Sequence, residues 1–191
     1  VNNFKIFQNI IRLRRIKPTY LFFSENKNYQ KYSYLIIETL VKKYPNEVYY
    51  VSSDIDDKIN NPDVKNIFIG KSLLMIIFFL IIRAKYMFLT LTDLNIHIVK
   101  KTNNVEKYIY YFHAPVSTTK AYTATAFDNY DVILCNGDYH LDEIRKRESI
   151  KKIKKKKLIK TGYFYFDYIN NRMNIQTKAN EILIAPSWNY N

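Results

Sequence analysis

Apolar residues at Phe4, Phe7, Ile10 and Ile11, with Arg12, Arg14 and Arg15 beside them, predict a short amphipathic helix over 4–15 that ends before Pro18. Residues 19–23 read as a strand, followed by the polar turn 24–27. Tyr32, Leu35, Ile36 and Leu40 share one face of a helix over 28–43, which Pro45 and Asn46 break. Val48, Tyr49, Tyr50 and Val51 favour a strand over 47–52. An acidic loop with Asp54, Asp56 and Asp57 leads to a strand at 65–69. The run 73–82 is apolar on every side and predicts a buried helix. Further strands are expected at 85–89, 107–112, 131–135, 157–161 and 181–185. A short helix is expected over 118–125, and a longer one over 138–147 with Asp138 as its cap.

Strands and helices alternate, and most strands are continuous apolar or aromatic runs, as required when both sheet faces are covered. The pattern predicts an α/β fold, a Rossmann-like parallel sheet with helices on both faces. The 191 residues suffice for one such domain and fall short of two. With 48% hydrophobic residues, three glycines and five prolines, the chain is neither linker nor low-complexity sequence. The N-terminal residues lack the apolar core of a signal peptide. The 73–82 run, about 15 Å long as a helix, covers half a bilayer core.

Thirty Lys and Arg against 17 Asp and Glu leave a formal charge of +13, which favours an anionic partner without naming it. The single cysteine, Cys135, excludes an internal disulfide and a cysteine-based zinc site. It fits a reducing cytoplasm and reads as a buried apolar residue. Gly70-Lys71-Ser72 ends like a phosphate-binding loop, but Lys65 stands where that loop needs its first glycine. No dinucleotide fingerprint occurs. No metal site and no cofactor are expected.

The most informative stretch is Tyr111-Phe112-His113-Ala114-Pro115-Val116-Ser117-Thr118-Thr119-Lys120. His113 directly follows a strand and so belongs at the strand-end edge of the sheet, where open α/β folds bind ligands. Ser117, Thr118 and Lys120 sit at an expected helix start, a place that favours anions. The spacing leaves two readings open: a general base beside a phosphate site, or a structural histidine beside capping hydroxyls. Asp93 and His97 form a second candidate pair in a polar loop, and His140 reads as structural. The densest basic stretch is 145–160. There Lys151, Lys152, Lys154, Lys155, Lys156 and Lys157 read either as a solvated face or as a contact for anionic lipid headgroups. Nucleic acid is not expected, because the aromatics fall mostly on core strands rather than in a base-stacking module.

The Phe112-His113-Ala114 stretch resembles the Phe-His-Ser/Ala region of the CDP-glycerol glycerophosphotransferase family. Upstream, Thr92-Asp93-Leu94 with Lys100 and Lys101 is similar to a family turn with a trailing basic pair. Downstream, Phe127-Asp128-Asn129-Tyr130-Asp131, Asn136-Gly137, Thr161-Gly162-Tyr163 and Ala185-Pro186-Ser187-Trp188 continue the series in order. Pro115, Thr119 and Leu91 depart from the family pattern. The resemblance implies the acceptor-side, N-terminal domain of a GT-B fold over 1–180. It implies that 181–191 begin a nucleotide-binding domain otherwise absent, so that the chain is a truncated form. It further implies glycerol phosphate transfer from CDP-glycerol to a lipid-linked or glycan acceptor of cell-envelope polymer synthesis, with His113 as the catalytic base. The place would be the cytoplasmic face of the membrane, held peripherally. Two rivals are another GT-B transferase using a nucleotide-sugar or other CDP-alditol, and a non-catalytic basic module.

Overall fold

The computed structural model describes residues 2–96 and 99–171. Seven strands form a single all-parallel sheet: β1 (Tyr20–Ser24), β2 (Val48–Ser52), β3 (Val64–Phe68), β4 (Ala84–Leu89), β5 (Val105–Tyr111), β6 (Val132–Cys135) and β7 (Lys157–Lys160). Their order is β3-β2-β1-β4-β5-β6-β7, so the winding reverses between β1 and β4. That reversal opens a crevice beyond the strand ends, the ligand position in doubly wound sheets.

Five helices cover the sheet: α1 (Asn3–Ile16), α2 (Gln30–Lys43), α3 (Leu73–Ile81), α4 (Asp138–Lys151) and α5 (Phe164–Asn170). One core holds Ile6, Ile10 and Leu13 of α1, Phe78 and Phe79 of α3 and Ile144 of α4, against Leu21, Phe23, Met87 and Tyr110 of the strands. The other core packs Ile36, Ile37 and Val41 of α2 on Phe22, Tyr50, Phe88 and Tyr111, with Phe164 of α5 beside them. Alternate strand residues thus feed opposite faces, as the pleat requires. Phe22 and Phe88 stack across β1 and β4 with ring centroids 4.3 Å apart.

Local chemistry fixes the ends of α1. The Asn2 side chain accepts from the Phe4 N–H at 3.0 Å, and Lys17 closes the helix in the left-handed region. A parallel sheet also sorts its two rims. Every strand leaves at the same rim, where β1, β4 and β5 release the segments after Ser24, Leu89 and Tyr111. The opposite rim gathers the C-termini of α1, α2, α3 and α4 and the strand starts.

Four expectations are corrected. The α2 face turned inward is centred on Ser33, Ile36, Ile37 and Val41, so the expected stripe is rotated: Ile36 is shared, and Tyr32 and Leu40 lie partly buried at its edge. Helix α3 is not buried all round: Leu73 and Leu80 are 67% and 51% exposed, because α3 packs beside α1 and keeps an outer face. No helix forms over 118–125, which is a series of turns. Finally, α4 is capped by Gly137; Asp138 lies inside its first turn and pairs with Lys160 at 2.7 Å. Helix α5 has no counterpart among the expected elements. The expected strand at 181–185 and the 181–191 segment lie outside the described residues. Among those residues no helix is long and apolar enough to cross a membrane.

Candidate functional site

His113 stands two residues beyond the end of β5, at the strand-end rim. Its imidazole is enclosed by tyrosine rings from three segments. Tyr29, in the turn after β1, lies 5.7 Å away between centroids; Tyr32 of α2 lies 6.0 Å away and Tyr122 6.3 Å. All three contacts are edge-to-face, the geometry the ring quadrupoles favour. Tyr163, just before α5, donates its hydroxyl to the His113 carbonyl at 2.7 Å and pins the backbone there. Lys31 lies 5.1 Å over Tyr32 and 5.0 Å over Tyr165.

Burial lowers the His113 pKa below the ordinary histidine value, since the enclosing rings solvate a charge poorly. The imidazole is therefore neutral at pH 7. Its Nδ1 is closed off from solvent and has no hydrogen-bond partner among the described residues, which leaves Nε2 as the nitrogen open to a ligand. Burial likewise raises the pKa of Tyr29 and of Tyr122, so both phenols stay protonated. Glu25, at the end of β1, is also raised by burial.

A second histidine holds this turn in place. His140 of α4 is fully buried; its Nδ1 accepts from the Asn136 N–H at 3.2 Å, so Nε2 carries the proton and donates to the Val116 carbonyl at 2.8 Å. Its ring stacks on Phe112 at 3.9 Å. His140 is a structural residue that braces the segment carrying His113.

Ser117 and Thr118 face inward rather than toward a ligand. Glu143 of α4 accepts from the Ser117 hydroxyl at 2.7 Å and from both the N–H and the hydroxyl of Thr118 at 2.6 Å. Burial pushes the Glu143 pKa up, but these hydrogen bonds from Thr118 and Ser117 outweigh it and bring the pKa below the usual carboxylate value. The donors expected to meet a phosphate thus meet an internal anion. Lys120, next in the turn, is exposed. Asp93, in the turn after β4, accepts from Thr123 at 2.7 Å and Thr125 at 2.8 Å, tying that turn to the His113 segment. His97 lies outside the described residues.

Lys151, Lys152, Lys154, Lys155 and Lys157 are exposed, but they occupy the strand-start rim, a helix length of about 20 Å from the end that carries His113. Lys156 is not part of that surface. It is 6% exposed, with Nζ 3.8 Å from the buried Glu148, because Glu148 and Arg145 fold the turn after α4 back onto the helix.

Two features of the rim were invisible in the sequence. Asp57, expected in an acidic loop, is 3% exposed and accepts from Ser24 at 2.6 Å, Ser52 at 2.8 Å and Tyr50 at 3.0 Å. Gln30 reaches the Lys58 carbonyl at 2.7 Å beside it, so the turn carrying Tyr29 is clamped to the loop after β2. The tyrosine enclosure was missed because Tyr29, Tyr32 and Tyr122 come from segments far apart in the chain. A groove of about 450 Å³ lies between the 118–128 turns and α4; Tyr122 lines it and His113 does not. Among the described residues no group of three His, Cys, Asp or Glu is placed to hold a metal ion.

An all-parallel sheet in this order, with His113 at its strand-end rim, defines a Rossmann-like α/β domain of the kind found in GT-B-like proteins. Among solved structures the fold is similar to that of the wall teichoic acid polymerase TagF, with a TM-score of 0.54 and 15% identity, over 91% of this chain and 50% of that one. The chain therefore spans about half the length of the polymerase it matches. No family model and no curated protein matches the sequence.

Proposed function

We propose that this chain supplies the acceptor-side half of a transferase of cell-envelope polymer synthesis that uses CDP-glycerol as donor. A hydroxyl of a lipid-linked or glycan acceptor attacks the β-phosphorus, the new O–P bond forms, and the bond to CMP breaks. CMP leaves, and glycerol phosphate is transferred. The acceptor proton passes to Nε2 of His113. Phosphoryl transfer depends mainly on positioning and charge stabilisation, so a modest base in a fixed place suffices.

The observation that carries this reading is an imidazole held among tyrosine rings at the strand-end rim, its pKa lowered by burial, in a fold similar to half of TagF. For Nε2 to accept, the ring proton must sit on Nδ1, the nitrogen closed off from solvent. Lys120, exposed on the same segment, supplies positive charge to a phosphate. Ser117, Thr118 and Asp93 act by shaping that segment. The exposed lysines from Lys151 onward would meet anionic headgroups on the cytoplasmic side of the membrane. Their place at the opposite rim then sets the reacting hydroxyl about 20 Å beyond the headgroups, which suits the tip of a grown chain.

The test is glycerol phosphate transfer from radiolabelled CDP-glycerol to membrane-bound acceptor, with the protein as expressed from its own reading frame. His113→Ala is expected to lose at least about 100-fold in rate, the range for removing a general base, with an unchanged melting profile. Full turnover by that variant would end the assignment.

A further inference from the structure

The second concave feature of interest lies far from His113. Arg14 and Arg15, in the last turn of α1, and Arg83, in the link from α3 to β4, line a hollow of about 360 Å³ with Ile11 as its apolar neighbour. It opens at the strand-start rim. None of the three guanidinium groups has an ion-pair partner among the described residues, whereas Lys17 nearby is paired with Glu106 and Lys101 with Asp131. The Nε of Arg14, a hydrogen-bond donor, is closed off from solvent and unpartnered.

Helix dipoles do not account for this grouping. Each helix C-terminus contributes roughly half a negative charge, so the ends of α1 and α3 supply about one against three positive charges. Guanidinium groups are planar forks suited to the oxygens of a phosphate, and several around one hollow bind it bidentately. Exposed Lys42, Lys43, Lys151 and Lys152 stand on the same rim, with Glu47 and with Glu106, which Lys17 pairs.

We propose that Arg14, Arg15 and Arg83 form a phosphate-binding site on the rim opposite His113, occupied either by the phosphate of an anionic lipid headgroup or by a soluble phosphate. The site does not depend on the transferase reading, and its test uses no transfer assay. Inorganic phosphate is titrated into the whole chain at low salt while the arginine Nε–Hε resonances are followed, and binding to phosphatidylglycerol vesicles is compared with phosphatidylcholine vesicles. A saturable shift of the Arg14 resonance, with affinity about tenfold weaker in Arg83→Gln, is the expected result; a factor of ten corresponds to about 1.4 kcal/mol. Arg83→Gln also tests the source. Loss of phosphatidylglycerol binding assigns the lipid, and unchanged vesicle binding with lost phosphate binding assigns the soluble ion. Lys58→Gln, a cation of the other rim, is expected to leave both unchanged. The proposal is overturned if no saturable shift occurs and vesicle binding ignores Arg83→Gln, or if Lys58→Gln weakens binding as much. Should Arg83→Gln melt early, Arg15→Gln, at an exposed position, replaces it with the same outcomes.

Discussion

At the scale of single residues the site is governed by desolvation. His113 is neutral because the rings of Tyr29, Tyr32 and Tyr122 replace water around it, not because a cation stands beside it. Removing one wall should therefore restore hydration. In Tyr29→Ala the His113 pKa is expected to rise toward the ordinary histidine value of about 6.5, measured by NMR titration of the ring. A value unmoved by the substitution would show that the enclosure does not set the ionisation. The same spectra report the tautomer, and a proton on Nδ1 is the arrangement the proposed base needs. His113 itself was legible from its place after an apolar strand. The fate of Ser117 and Thr118 was not, because their partner Glu143 lies 25 residues or more away and nothing local marks it.

Between elements, the rim is held by polar contacts that join turns. The Asp57 carboxylate gathers the hydroxyls of Ser24, Ser52 and Tyr50, and so fixes the end of β1, from which the chain turns to present Tyr29 and Tyr32. Asp57→Ala strands those hydroxyls in a buried setting and is expected to lower stability by about 2–3 kcal/mol, read as a drop in the urea midpoint. A change within about 0.5 kcal/mol would mean that the hydroxyls find other partners. Elements themselves were legible where one force decided them. Strands covered on both faces announced themselves as apolar runs, and α1 by its repeat. The failures came where distant contacts decided the outcome. The segment 118–125 forms turns rather than a helix, and Thr123 and Thr125 donate to Asp93, a tie that no local pattern marks. The outer face of α3 was hidden in a sequence apolar all round, since periodicity carries no signal there. The inward position of Asp57 depended on hydroxyls from β1 and β2 that meet only once the sheet is assembled.

Across the whole molecule, parallel strands give the domain two unlike ends. The strand-end rim holds His113 together with Glu25, Asp54, Asp57 and Asp93, whereas the strand-start rim gathers the arginine hollow and most of the exposed lysine stretch. The sequence showed a surplus of +13 but not that so much of it stands away from the candidate chemistry, because that division follows from strand direction. The central claim concerns the other end, where a neutral imidazole takes a proton. The pH dependence of kcat/KM for glycerol phosphate transfer tests it most directly, since that quantity reports the essential base of the free enzyme. With its pKa lowered by burial, His113 stays in the accepting form down to below about pH 6.5, so the rate should hold through neutrality and fall only at more acid pH. His113→Gln should lose most of the rate and that acid limb with it. A variant that keeps both the rate and the same acid limb would contradict the assignment of the proton transfer to His113.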